Sequence, residues 1–276
     1  MSIKIVADSS CDVHALEGVN LSVCPLQIIT EKKTYIDNEA LNVDVMVNDL
    51  KALNSKSSTS CPNVADWTDK FEGASEIFAI TISGDLSGSY NAACTAAEVY
   101  KNENPDCKIS VIDTRSTGPV MTLLIEKIAI LIGQNLSFEE IDKEARKYLA
   151  SLHVLFLLSS VKNLSNNGRV SKLAAKAVGI LNLRLLGHDN DGKIELIEKC
   201  RGSAKGLSRL VANMKEFGFK EGKVAIHHAN NLEGAKQLAA ILKQLNEKCN
   251  IAIRKCGGLC SFYAEDGGLI VGFERN

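Results

Sequence analysis

Four short segments of this 276-residue chain are dense in hydroxyls: Asp8-Ser9-Ser10, Ser57-Ser58-Thr59-Ser60, Ser83 through Ser89, and Asp113 through Gly118. Three of them directly follow apolar runs that read as strands. Hydroxyls and backbone N–H groups at the start of a helix donate hydrogen bonds without formal charge, which suits an oxyanion. Gly84 and Gly88 let the backbone come close to such a group, and residues 83–89 contain no lysine, arginine or histidine. Serine and threonine also cap helices routinely, so any one segment alone reads as a cap. Four in one half of a chain point to a binding surface.

Other chemistries fit less well. Neither G-x-x-x-x-G-K-[ST] nor G-x-G-x-x-G occurs, and the residues around Ser87 run D-L-S-G-S rather than G-x-S-x-G. None of the five histidines is placed to serve as a base for Ser87. His227 and His228 alternate across a strand, and with Cys256 and Cys260 they do not make a converging ligand set, so no metal is expected. Asp8 and Asp113 read as turn anchors. Net charge is −1 with few aromatics, which argues against nucleic acid or a charged membrane surface as partner. No apolar run reaches the roughly 20 residues that span a bilayer, and the N-terminus lacks a signal-peptide pattern. Nine irregularly spaced cysteines read as reduced thiols, and the expected location is cytoplasmic.

The elements that must position the hydroxyls alternate in type. Strands are expected at 3–7, 19–29, 76–82, 108–114 and 153–160, with a short addition at 32–36. Helices are expected around Val43–Leu53, through Trp67 and Phe71, over 89–101, over Val120–Ile132 and over 137–152. This pattern predicts a three-layer α/β/α domain with a mostly parallel sheet over residues 1–160. A smaller two-layer α/β sandwich is expected over 161–276. It begins with an alanine-rich helix at 170–180 and includes a hairpin turning at Asn190-Asp191-Gly192. Ligands of open parallel sheets sit outside the carboxyl ends of the strands, where the hydroxyl segments lie, so a ligand cleft between the two parts is expected.

Seven segments in order resemble the DegV family of bacterial fatty-acid-binding proteins, whose members share the EDD fold. They are IVADSSCD, Tyr35-x-Asp37, TSCPNVADWTDKF, ISGDLSGSYNAA, VIDTRSTGP, NLSNNGRVS, and LNLRLL with DGKIELIEKCRG. The resemblance spans nearly the whole chain. It implies one long-chain fatty acid held between two domains, with the acyl chain in an apolar tunnel and the carboxylate on the hydroxyl loops. It also implies a role as carrier subunit that presents the acid to an ATP-dependent fatty acid kinase for acyl-phosphate formation, with no cofactor and no turnover of its own.

Carried over by position, the resemblance places Thr59, Ser60, Ser87, Gly88 and Ser89 at the carboxylate. Arg169 falls at the family's loop arginine, by the cleft mouth or in kinase docking, and Ser83 is a further cleft candidate. The chain departs from the family at its end. The family's H-x-G-P-G is replaced by CGGLCSFYAEDGG, which puts Tyr263 at the histidine position, with Ser261 or Glu265 as alternatives. The hydroxyl head is expected to grip the acid through uncharged donors. The alternative class is a small-molecule enzyme, similar to dihydroxyacetone kinases, using the same loops for a phosphorylated or carboxylated substrate.

Overall fold

A computed structural model of the chain describes residues 2–53, 55–171 and 182–275. Most of the alanine-rich helix expected at 170–180 lies outside the described residues. Strands β1 (Ile3–Asp8), β2 (Leu21–Cys24), β6 (Glu76–Thr81) and β7 (Lys108–Asp113) form an all-parallel sheet in the order β2-β1-β6-β7. An all-parallel sheet needs cover on both faces, and side-chain alternation supplies it. Val6, Ile77 and Ala79 point toward Trp67 and Phe71 of α2 (Val64–Phe71) and Ala93, Ala96 and Tyr100 of α3 (Ser89–Glu103). Ile5, Ala7, Phe78 and Ile80 point toward α4 (Pro119–Gly133) and α5 (Phe138–Ala150). The expected three-layer arrangement is present.

Between β2 and β6 the chain forms β3 (Gln27–Ile29), β4 (Thr34–Ile36), α1 (Val43–Ala52) and β5 (Ser58–Ser60). The run expected as one strand at 19–29 is broken at Pro25, which lacks the N–H a ladder requires. β3 therefore leaves for a separate antiparallel sheet of order β4-β3-β5. Thr59 lies opposite Ile28 in that sheet.

The remaining strands are β8 (Leu152–Leu158), β9 (Leu183–Asn190), β10 (Lys193–Arg201), β11 (Lys223–His228), β12 (Asn250–Lys255) and β13 (Leu269–Glu274). They form one sheet in the order β10-β9-β8-β13-β11-β12, parallel only between β11 and β12. The outer face is covered by α7 (Ser203–Glu216) and α8 (Leu232–Leu245). Two expectations change here. The strand at 153–160 belongs to this second sheet, although the division at residue 160 put it in the first part. The second sheet is also the larger, with six strands against four. A fully buried strand such as β8 is apolar on both faces and carries no alternation to show which sheet it joins.

Helix α4 joins the two sheets. Its Met121, Leu124, Ile125 and Ile128 pack on the parallel sheet, while Val120 and Leu123 pack on the inner face of the six-stranded sheet. Only the far side of the helix, at Ile130 and Gly133, is exposed to solvent.

Candidate functional site

An apolar cavity of about 80 Å³ lies between the two sheets. Leu26, Ile82 and Leu86 come from the first part. Val154, Phe156, Leu158, Ile194 and Ile270 come from the six-stranded sheet, and Leu259, Cys260, Tyr263 and Ala264 come from α9 (Gly258–Ala264). The polar lining is sparse: Thr59, Ser87, Ser116, Thr117, Arg169, Asp189 and the Tyr263 hydroxyl.

Thr59 and Tyr263, 204 residues apart in sequence, are joined by a 2.8 Å hydrogen bond between their hydroxyls. Tyr263 is held there because the start of α9 is pinned by two buried carboxylates of the first part. Gly257 N–H donates to Asp12 Oδ1 at 2.8 Å, and Gly258 and Leu259 N–H donate to the two oxygens of Asp37 at 2.6 and 2.9 Å. A Cβ on Gly258 would sit 2.6 Å from Asp37 Oδ1, so the anchor requires glycine. Asp37 also accepts from Ser9 Oγ at 2.8 Å, and Asp12 meets His227 Nδ1 at 2.7 Å with both side chains fully buried. Burial pushes Asp37 up to about 6 against these donors. Burial also raises the Tyr263 phenol, which keeps it a neutral donor.

Ser87 sits in the turn before α3, where Leu86 and Ser87 N–H donate to Ser83 carbonyl. Its oxygen accepts from Ser89 N–H at 3.3 Å, leaving its own O–H to donate. Of the two hydroxyls in the Thr59–Tyr263 pair, one donates to the other and the second O–H remains for a ligand. The Arg169 guanidinium stands on the same wall, fixed by donation to the carbonyls of Leu86 and Asn167. The arrangement is a concave apolar chamber whose wall carries free hydroxyl donors beside one cation at Thr59, Tyr263, Ser87 and Arg169, and Ser116 and the acid Asp189 elsewhere, so the Thr59–Arg169 side suits an amphipathic anion.

The chain matches the family described as "uncharacterised protein, DegV family" over residues 2–276. It belongs to the DegV family. DegV domain-containing proteins of Streptococcus gordonii and Streptococcus pneumoniae are 39% identical to it, with 99% of each chain covered. Two solved structures cover all of the chain and are covered in full by it. The Streptococcus pneumoniae Fatty Acid Kinase (Fak) B3 protein loaded with linoleic acid is 38% identical with a TM-score of 0.98. A DegV family protein from Eubacterium eligens loaded with heptadecanoic acid is 37% identical with a TM-score of 0.97.

In this DegV chain, the sequence-derived candidates separate into two groups. Thr59, Ser87, Arg169 and Tyr263 all line this cavity. The other candidates are spent elsewhere. Ser89 is fully buried and donates to Asp8 Oδ2 at 2.7 Å, while Asp8 also accepts from Ile82 N–H at 2.9 Å and from Ser10. Ser83 donates to Gly192 carbonyl at 2.7 Å, tying down the β9–β10 hairpin. Ser261 donates to Cys256 carbonyl at 3.2 Å. Glu265 accepts from Asn163 N–H at 3.0 Å. Ser60 alternates away from Thr59 along β5, and Gly88 caps α3 beside Cys61; neither lines the cavity. Arg169 shares the cavity wall with these hydroxyls.

Several residues were not singled out from sequence. Ser116 and Thr117 of the fourth hydroxyl segment line the cavity. So does Asp189, whose Oδ1 is 3.3 Å from His153 Nδ1. Donor atoms of His153, His188 and Asp189 lie within 4.8 Å of one another, a cation-ligand spacing absent from the histidines and cysteines weighed in the sequence. The alternation of β9 carries the signal for Asp189: Leu185 and Asp189 share the inner face, Leu186 the outer.

Proposed function

We propose that this DegV protein binds one long-chain fatty acid, with its carboxylate at Thr59, Ser87, Tyr263 and Arg169 and its acyl chain along the apolar wall. It would present that acid to an ATP-dependent fatty acid kinase and perform no turnover alone. The observation that carries this reading is the apolar cavity between the sheets at which Thr59, Ser87 and Tyr263, from three distant segments, converge. The fatty acids carried by two structures of 37–38% identity support it. Burying a chain of about 14–16 carbons offers roughly 11–13 kcal/mol before immobilisation costs, so the tail supplies most of the affinity and the head sets orientation. No helix among the described residues is long and apolar enough to cross a membrane, and a cytoplasmic location is part of the same proposal. A dihydroxyacetone-kinase-like reaction would need a histidine at the substrate, and no histidine is among the described lining residues.

Native mass spectrometry of protein purified from cells, followed by organic extraction, tests the reading. A single co-purifying acid of fatty-acid mass is expected. An empty protein that neither takes up added fatty acid nor supports acyl-phosphate formation by a fatty acid kinase would overturn it.

A further inference from the structure

The cation of the cavity wall is held by more than its own bonds. Arg169 follows α6 (Lys162–Asn166), which ends with Gly168 at φ +74°. Gly168 N–H donates to Ser165 carbonyl at 3.2 Å, and Arg169 N–H donates to Leu164 carbonyl at 2.8 Å. This pair of bonds around a left-handed glycine closes a helix and fixes the Arg169 backbone. The direction of its side chain depends on Asn167. The Asn167 amide spends both of its N–H groups, one on Asn163 carbonyl at 2.9 Å and one on Ser57 carbonyl at 3.1 Å. Two carbonyl neighbours leave the amide one orientation. The Asn167 carbonyl in turn accepts from Arg169 Nη1, while Leu86 carbonyl accepts from Arg169 Nε at 3.2 Å. Two bonds thus leave this segment for the first part of the chain. They land at Ser57, two residues before Thr59, and at Leu86, one residue before Ser87. Asn163 Nδ2 ties the same segment to Phe262 carbonyl at 2.8 Å, beside Tyr263.

We propose that Asn167 is the positioning residue of the head site: its amide holds α6 against β5 so that the Arg169 guanidinium meets the carboxylate of the acid. This rests on the fatty-acid reading above. A guanidinium carries five N–H groups. The Leu86 and Asn167 carbonyls take two of them, which leaves three for a ligand. The Arg169 charge reaches the head: burial raises the Tyr263 phenol, and the Thr59 bond and that charge both oppose the rise. Without the Asn167 side chain, the Ser57 carbonyl loses its Asn167 donor, and the carbonyl that steers Nη1 is no longer tied to β5. The long arginine side chain then regains rotamers that binding must freeze again. A carboxylate loses by this, because it needs the planar fork in place. A fatty alcohol has no charge for the fork to meet and loses much less.

The test compares hexadecanoic acid with hexadecan-1-ol on the delipidated full chain, each competing with a fluorescent fatty acid. A hydrogen bond to a charged group outweighs a neutral one by about five- to tenfold, so the natural protein is expected to prefer the acid by at least that factor. Arg169→Gln is expected to remove most of the preference and Asn167→Ala to lower it about threefold or more. The double variant should fall no further than Arg169→Gln alone, because Asn167 acts through the arginine. Asn167→Asp keeps the size, loses both donors and is expected to show the same fall, which covers an alanine variant that does not fold. By NMR, bound acid labelled with ¹³C at its carboxyl should titrate at lower pH in the natural protein than in Arg169→Gln, with Asn167→Ala between them. Equal weakening of acid and alcohol in the Asn167 variants, or a double variant that falls by the product of the two, overturns the proposal and leaves Asn167 a brace. Matching titrations in the natural protein and Arg169→Gln, a comparison that needs no change at Asn167, overturn it as well. Each of these results leaves the fatty-acid reading intact, whereas absence of acid binding by the natural protein overturns both.

Discussion

Replacing Tyr263 with phenylalanine separates a head-group donor from a structural brace. The ring makes an edge-on contact with Phe262 at 4.8 Å between centroids, which phenylalanine retains. What is lost is the hydroxyl bonded to Thr59 at 2.8 Å. Without ligand that neutral, part-buried bond contributes about 1 kcal/mol to stability. With a carboxylate in the cavity the pair has a charged acceptor, and a hydrogen bond to a charged group contributes about 1.5–3 kcal/mol, which is roughly 10- to 150-fold in Kd. Tyr263→Phe is therefore expected to unfold at slightly lower urea and to weaken a 16-carbon acid by at least tenfold. The factor should be the same at every chain length, because head and tail act at opposite ends of the wall. Combining it with Thr59→Ala should cost less than the sum of the two, since they share one bond. Competition binding and urea unfolding on the four proteins decide the matter. A Kd within twofold of the natural protein, alongside the expected fall in stability, would show that the pair only braces β5 against α9.

Two further outcomes follow from groups beside the cavity. Burial pushes Asp189 up to about 6 and His153 down to about 4. Between pH ~4 and ~6 the folded state therefore holds extra proton on Asp189, which makes stability fall as pH rises. It holds less proton on His153, which makes stability rise, by about 3 kcal/mol each, so the two nearly cancel. His153→Phe should leave a profile that falls with pH relative to the natural protein and Asp189→Asn one that rises; parallel urea-midpoint profiles from pH 4 to 7 in all three would contradict this. Gly187→Ala would set a Cβ 2.3 Å from Glu195 carbonyl and 2.5 Å from the Phe156 ring. It should cost about 1–3 kcal/mol by overpacking and weaken acid binding by driving Phe156 into the cavity, and an unchanged Kd would count against the placement of that wall.

The layered fold was legible because its signals are local. Apolar runs ending in hydroxyl-rich turns gave β1, β6 and β7, and the capping box at Ser137 and Glu140 marked the start of α5. Sheet membership was not legible, because membership of β8 depends on partners more than a hundred residues away in β13. The site shows the same division. Ser87 and Ser89 are two residues apart in one turn and look alike in sequence, yet one faces the cavity and the other donates to Asp8. Hydroxyl density says that donors are present. Their direction is set by which acceptors lie nearby, and Asp8 and Asp37 reveal themselves as those acceptors only once the loops are folded together. Asp189 was missed because a charged residue next to a hairpin turn reads as solvated, and its burial comes from Ser83 and Arg115 holding that hairpin down.

The buried acids explain how a loop-built head can be rigid. Asp8 gathers donors from the turn after β1, from the end of β6 and from α3; Asp37 gathers them from that same turn and from α9; Asp12 joins α9 to His227 on β11. Each carboxylate ties together segments that have no sequence proximity. Desolvation is unfavourable, as the raised values of Asp8 and Asp37 show, and the several donors on each of these two carboxylates offset it. This use of acids has a chemical consequence for the cavity. Every hydroxyl they take up, Ser9, Ser10 and Ser89 among them, is removed from competition for the ligand. Thr59, Ser87 and Tyr263 are left aimed at the chamber by loops that are already fixed. A donor set ordered before a ligand arrives loses little entropy on binding, so under the proposed function a few neutral hydroxyls beside one arginine would suffice to orient a head group whose affinity would come mainly from its tail.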